Sequence, residues 1–582
     1  MSRLARVRST KPTRRSACSA RRFAFEPLEE RALLSHAPGL GYSFQPVAFL
    51  GDPAPGGGVF INDFELYGIN NRGEVSFTAD VSNCEGGFGF CEGYFRGTTG
   101  SLAQITRTGE PVPGGGTVLF SAAFPQGIND HGDLAVAVAL DPFGGTAGAN
   151  TGLYRYSSNT QTLTPVVLPG VTPVPGGGAF VGGGVHSDIN NRGDIVFPGM
   201  VPTDDGIHIP GEPDLGLGIG IFRQSKDGKI VALVAPGDPA PGAGTFDFAR
   251  MPRINDAGDL AFFAHLAGEP CDEFPGTPQA DFIHCLNAGL YVRDAATGEI
   301  QSIVQPHDPA IGERLYPFGA VINSRGQIAF TASNVNPDFK FPDTAVFFHA
   351  NGTTTPVALP GDAMPGGGRV VRTGVFIGAL ELNERGEVAF DATLDTDENA
   401  DGFPDSGLYV WVPQVGTQGT LHLIARTGTV IPGVGTIAHF ATPGFLGALP
   451  AGLPRNNDGG QVFFQATLED GTGVLLIATP MGEAAGSSSA ASAGSVSLVV
   501  VTSGLQTASP SPLAPTISEE ASAPLAGQPP APATTNPSTP RPPQAPPLPL
   551  ETSSDHGFAH QEDFLLDESL LNDLAAGLLG WR

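Results

Sequence analysis

The densest set of cation-seeking oxygens in the chain is the run 395 to 405, DTDENADGFPD, which carries Asp395, Asp397, Asn399, Asp401 and Asp405 around Gly402. Calcium takes roughly six to eight oxygen ligands, and acidic side chains at alternate positions before a glycine bend can wrap around one ion. An EF-hand would place glutamate at its twelfth position; counted from Asp397 that position is Leu408, so this is not an EF-hand. Two readings stay open, a calcium loop of another type and a solvated acidic loop.

Cysteine is the second source of chemistry. Cys18 stands near the N-terminus, and the other four form two local pairs, Cys84 with Cys91 and Cys271 with Cys285. Even, local pairing favours two disulfides and an oxidising compartment. Zinc is the rival reading, and it would need all four to converge without any CxxC spacing. Catalytic signatures are missing: there is no GxSxG, HExxH or Walker sequence, and the twelve histidines are scattered. Carboxylates from distant segments could still assemble at the centre of a closed fold, which spacing alone does not reveal.

These groups sit in a chain built from one repeat. INNRGEVSF (69–77), INDHGDLAV (128–136), INNRGDIVF (189–197), INDAGDLAF (254–262), INSRGQIAF (322–330), LNERGEVAF (382–390) and NNDGGQVFF (456–464) are versions of one motif. Its asparagines, Asn70, Asn129, Asn190, Asn255, Asn323, Asn383 and Asn457, are spaced by 59, 61, 65, 68, 60 and 74 residues. An asparagine that bonds its own backbone two residues on, with a glycine three residues later that accepts positive φ, makes a tight turn into a strand. The glycines are Gly73, Gly132, Gly193, Gly258, Gly326, Gly386 and Gly460. A recognition role for the asparagine ring is the minor alternative.

Each copy is preceded by a Pro/Gly connector such as GDPAPGGG (51–58) and followed by an aromatic strand such as GLYVR (289–293), a polar turn and another apolar run. That order predicts four strands, a to d, per repeat of some sixty residues, which fits a propeller blade better than a solenoid coil. The connectors lack the Gly-Lys-Ser/Thr ending of a phosphate loop and read as crossings between blades. Strand c occurs seven times, ending at 473–480, while the first strand d, at 44–50, precedes any a, b or c strand. The expected fold is therefore all-β: a seven-bladed β-propeller over 44–480, closed by an N-terminal strand that completes the last blade and hides the free edges.

The string NxxGxxAF, present as Asn255, Gly258, Ala261 and Phe262, resembles the tandem repeat of uncharacterised bacterial surface proteins over about 44–480, and the turn is similar to that of TolB-like propellers. The acidic run at 397–405 resembles the DxDxDGxxD loops of thrombospondin type 3 repeats and dockerins. Near the N-terminus, FEPLEERALLS (25–35) resembles the LEPR-XLL sorting motif of planctomycete exported and surface proteins, which implies export to the cell surface or beyond.

Charge narrows the partners. Net charge is −28, and beyond residue 35 only 21 basic side chains face 55 acidic ones, which disfavours nucleic acid and anionic membrane. No run of eighteen apolar residues suggests a transmembrane span. Outside the propeller, 1–40 reads as a basic leader with the sorting motif, 483–550 as a Pro/Ser/Ala-rich linker and 558–582 as a short acidic amphipathic helix.

Alternating strand direction places the b-to-c insertions and the connectors on one face, where the copies differ most. The resulting expectation is a non-enzymatic binding or scaffold protein, a monomeric propeller that presents those loops to an extracellular glycan or protein, with calcium in blade six. The alternative is a secreted hydrolase or lyase acting on carbohydrate. A binder would carry its polar groups on the insertions; an enzyme would gather carboxylates at the central channel.

Overall fold

A computed structural model describes residues 41–481 apart from 83–90, 122–126, 142–150, 203–216, 243, 270–287, 313–314, 335–343, 375–379, 415–416 and 441–453. The leader, the linker, the acidic C-terminal segment and most b-to-c insertions lie outside the described residues, as do Cys84, Cys271 and Cys285. Among the described residues there is no helix.

Seven antiparallel sheets follow one another, each with four principal strands in the order a, b, c, d. Blade one is β2 (Phe60–Ile69), β3 (Val75–Val81), β4 (Glu92–Thr98) and β5 (Ser101–Arg107). Blade two begins with β6 (Thr117–Ser121), and the pattern repeats around to blade seven, where β31 (Val462–Leu468) and β32 (Gly473–Met481) meet β1 (Gly41–Phe49). Gly41 pairs with Met481 and Phe49 with Val474, so the chain's first described strand is the outer strand of its last blade. The ring is thus a seven-bladed propeller closed by strand exchange, and strand β1 begins three residues earlier than the sequence pattern indicates.

The repeat's apolar positions make the core. The motif's last residue on strand b faces a residue of strand c in every blade: Phe77 with Phe95, Val136 with Tyr154, Phe197 with Phe222, Phe262 with Tyr291, Phe330 with Phe347, Phe390 with Tyr409 and Phe464 with Leu476. Ring centroids in the aromatic pairs lie 5.4 to 5.9 Å apart. Cross-strand pairs of this kind add about 0.5–1.5 kcal/mol to the area they bury. Strands c and d slip register by one residue at the same place, for example at Tyr94/Phe95, Leu290/Tyr291 and Leu408/Tyr409. A bulge there increases the twist with which each blade stacks on the next.

The connectors form tight turns. In the first, Gly56, Gly57 and Gly58 all have positive φ, a run that only glycine adopts without strain, and Ala54 N–H donates to the Gly58 carbonyl at 3.0 Å.

Candidate functional site

The seven asparagines do more than turn the chain. In the first copy the Asn70 side-chain oxygen accepts the N–H groups of Arg72 and Glu74, each at 3.0 Å, and Gly73 takes φ 73°. The amide nitrogen that remains donates to the backbone carbonyl of the next blade's asparagine. Asn70 reaches Asn129 (3.0 Å), Asn129 reaches Asn190 (3.1 Å), Asn190 reaches Asn255 (3.0 Å) and Asn255 reaches Asn323 (2.9 Å). Asn323 reaches Asn383 (3.0 Å), Asn383 reaches Asn457 (3.0 Å), and Asn457 returns to Asn70 (2.8 Å). All seven are buried. A closed circuit of side-chain hydrogen bonds therefore surrounds the axis at the a-to-b end, opposite the insertions.

Two residues before each asparagine stand Gly68, Gly127, Asp188, Arg253, Val321, Glu381 and Arg455, a column that the repeat motif does not include. Asp188 of blade three feels the charge of Glu381 of blade six, and Arg455 of blade seven feels that of Arg253 of blade four. Blades so far apart in a ring of seven interact only across the axis, so these side chains face the channel. Arg455 is almost wholly buried and donates to the carbonyls of Leu66 and Tyr67, each at 3.2 Å, while Glu381 lies 3.9 Å from its Nε. Burial pulls its pKa down to about 10. Asp188 accepts the N–H groups of Ile189 (2.9 Å) and Ile254 (3.0 Å), and burial raises its pKa. Ion-paired side chains thus occupy the channel just inside the asparagine circuit.

Farther along strand a the wall is polarised. On blades three and four lie His186 and Arg250; burial and the Arg250 and Arg253 charges push the His186 pKa down to about 3, so it is neutral. On blade one lie Glu65, Tyr67, Thr78, Asp80 and Glu92. Register puts Glu65 opposite Thr78, Thr78 opposite Tyr94, and Asp80 opposite Glu92, so these share the sheet face turned to blade two. The Tyr67 hydroxyl is within hydrogen-bond distance of Thr78 Oγ1 (3.0 Å), Ser121 Oγ of blade two (3.1 Å) and Glu65 Oε2 (3.3 Å). Glu92 Oε2 accepts the Ser121 N–H at 2.7 Å. Burial, then the neighbouring Glu65 charge, pushes the Glu92 pKa well up, and burial pushes Tyr67 and Tyr94 up as well. Glu65 itself is exposed.

The blade-six run divides. Asp395 accepts the Arg369 N–H (2.7 Å), and Asp405, whose side chain is fully buried, pairs with Arg426 (3.2 Å). Asp397, Asn399 and Asp401 stay together on an exposed turn, where Gly402 N–H donates to Asp397 (3.2 Å) and Asn399 to Asp401 (2.7 Å), with His439 3.4 Å from Asp401. Among the described residues no group of three or more His, Cys, Asp or Glu converges as metal ligands. Cys91, buried beside Glu92, is disulfide-bonded.

Neither the axial charges nor the Glu65/Glu92 wall was singled out from sequence. The signal was available in columns where one blade departs from its fellows. After the motif's aromatic position, for instance, strand b runs Thr78, Ala137, Pro198, Phe263, Thr331, Asp391, Gln465.

Fold and site together define a closed seven-bladed propeller whose channel is occupied by ion pairs toward one end and polar along its wall. The chain belongs to the family of unknown function DUF7453, which matches residues 27–479. No curated protein matches it. Among solved structures it is similar to the acylaminoacyl peptidase of Pyrococcus horikoshii, at 10% identity and TM-score 0.37, over 73% of this chain and 51% of that one. It therefore spans about half the length of that peptidase. It is also similar to a PL25 ulvan lyase (10% identity, TM-score 0.35, 75% of this chain and 94% of that one). A third is the GH74 xyloglucanase of Xanthomonas campestris (11% identity, TM-score 0.28, 66% and 55%).

Proposed function

We propose that the protein is an exported binding protein that takes a glycan into the insertion-facing half of its channel. The observation that supports this reading is the exposed Glu65 carboxylate on strand a of blade one, held in place by the buried Tyr67 and Thr78 hydroxyls. Sugar hydroxyls are bound by fixed polar groups of this kind, placed few in number along a channel. The ion pairs toward the asparagine end direct entry to the other face. Export rests on the FEPLEERALLS segment, and an acidic surface argues against nucleic acid as the partner.

A glycan array probed with the purified protein tests the reading. Binding that falls at least tenfold in Glu65→Ala, with an unchanged melting temperature, is the expected result. Binding unaffected by Glu65→Ala moves the ligand elsewhere. Localisation is tested by fractionating cells that produce the full chain; retention in the cytoplasm overturns export.

A further inference from the structure

We infer that Phe403 and His439 form an aromatic platform at the insertion-side rim of the channel, on which one ring of an uncharged sugar stacks. The inference rests on the reading of the partner as a glycan that enters by the insertion face, and it names the contact made there. Phe403 belongs to the blade-six insertion. His439 ends the first segment of strand a in blade seven (Gly435–His439), the innermost strand of its blade and next in the ring to the strand of blade one that carries Glu65. The two rings meet edge to face, with centroids 5.5 Å apart and planes at 82°. Phe403 is 45% exposed, and no other Phe, Tyr or Trp among the described residues is exposed. Val371 on strand a of blade six and Val430 on the connector into blade seven are exposed as well, so three of the five large apolar side chains exposed among the described residues belong to this sector. Isolated exposed apolar residues need no explanation, whereas a grouping at the edge of a channel marks a binding surface.

The loop holds its aromatic ring on a fixed frame. At its base Asp405 N–H donates to the Thr396 carbonyl (2.6 Å), and Arg426 bridges Glu398 (2.9 Å) and Asp405 (3.2 Å). Asp401 then fixes the platform itself. Its carboxylate accepts the Phe403 N–H (2.8 Å) and an Asn399 side-chain N–H (2.7 Å), and it lies 3.4 Å from His439 Nε2. A ring set in this way loses little freedom when a ligand covers it. Its electron-rich face suits the C–H-bearing face of a pyranose, whose hydroxyls then meet the carboxylate and amide beside it. A proline ring would stack there too, but it brings no N–H for those acceptors. The exposed carboxylates of Asp397, Glu398 and Asp401 repel uronates and sulfated sugars, which leaves an uncharged sugar as the occupant.

The full chain is probed, with EDTA present, on an array of xyloglucan, mannan, dextran, alginate and polygalacturonate, and each polymer bound is titrated by calorimetry. Binding of an uncharged polymer is expected, about tenfold weaker in Phe403→Ala and Phe403→Leu and within about threefold of wild type in Phe403→Trp. All three variants should keep the wild-type melting temperature, because the side chain is exposed. The indole fluorescence of Phe403→Trp should also change on titration, a response that a purely structural loop residue would not give. Undiminished binding by Phe403→Ala or Phe403→Leu overturns the platform, as does a preference for alginate or polygalacturonate. Loss in Glu65→Ala alone leaves the channel reading in place and removes this inference. Loss in the Phe403 variants alone keeps the platform and overturns the role of Glu65; binding of no polymer overturns both. If a peptide of residues 530–550 binds in a Phe403-dependent way and no polymer does, the sugar assignment falls.

Discussion

The side-chain amide of Asn457 donates to the backbone carbonyl of Asn70 at 2.8 Å, across 387 residues of chain. It is the last link in a circuit whose six other links run forward from blade to blade, so it joins the two ends of the array. Each asparagine also accepts backbone N–H groups of its own turn, and alanine at any one position leaves several buried groups without partners. Asn255→Ala is expected to cost about 2–4 kcal/mol, since each unsatisfied buried group costs about 1–3 kcal/mol. Chemical denaturation measures it; a loss below 0.5 kcal/mol would show the circuit to be incidental.

Closure through β1 predicts unequal tolerance to trimming. Deleting residues 1–40 should leave the melting temperature unchanged, because the ladder with β32 begins at Gly41. Deleting 1–50 strips β32 of its partner and bares its edge, so the shortened protein should aggregate or fail to fold. Size-exclusion chromatography and circular dichroism distinguish the outcomes.

Arg455 shows what the axial charges cost to disturb. Its guanidinium satisfies two carbonyls of blade one and faces Glu381, so Arg455→Ala removes several buried partners at once. A loss of about 3–5 kcal/mol is expected, the range for breaking one side of a buried ion pair. Gly127→Ala should be milder but still harmful, because the new Cβ would sit 2.6 Å from Asp188 Oδ1.

Glu92 links stability to pH. Its folded pKa is raised, so between the ordinary glutamate value, about 4.3, and the folded value the native state holds a proton that the unfolded state has released. Stability from this group is therefore full below that ordinary value and falls as pH rises through the folded pKa. The surrounding titratable groups are Glu65, Asp80, Tyr67 and Tyr94. Relative to Glu92→Gln, the wild type should lose stability between pH 5 and pH 8 by denaturant titration; parallel curves would sink the assignment.

For the blade-six loop, a calcium ion would be held by Asp397, Asn399 and Asp401, since Asp405 is paired with Arg426. Three protein ligands completed by water make a weak site. Millimolar calcium should therefore slow proteolysis within 395–405 without moving the melting temperature, and Asp397→Asn should remove that protection. Cleavage indifferent to calcium would remove the ion from the description.

Much of the fold could be read from the chain because the repeat is a statement about sameness. Asn, Gly and the following aromatic recur since every blade needs the same turn and the same cross-strand pair, and seven c strands with a displaced d strand imply a ring closed by exchange. The site is made of what the blades do not share. Asp188, Arg253, Glu381 and Arg455 occupy one column, yet Arg253 pairs with Asp188 and Arg455 with Glu381 on neighbouring blades, and the two pairs face each other across the axis, a relation visible only once the ring is closed. Glu65 and Glu92 come together by the register of three strands and by contact with Ser121 of the next blade. The same averaging that exposes the architecture hides these positions.

The exchanged strand also sets how the ring answers to force. Gly41 and Met481, the outermost partners of the β1/β32 ladder, lie side by side. A load applied between the leader and the tail would therefore pull the ladder apart one pair at a time, as a zipper opens, and would not shear all its hydrogen bonds together. A propeller tethered at both ends would be mechanically soft at this clasp, and tethered at one end only it would feel no such strain.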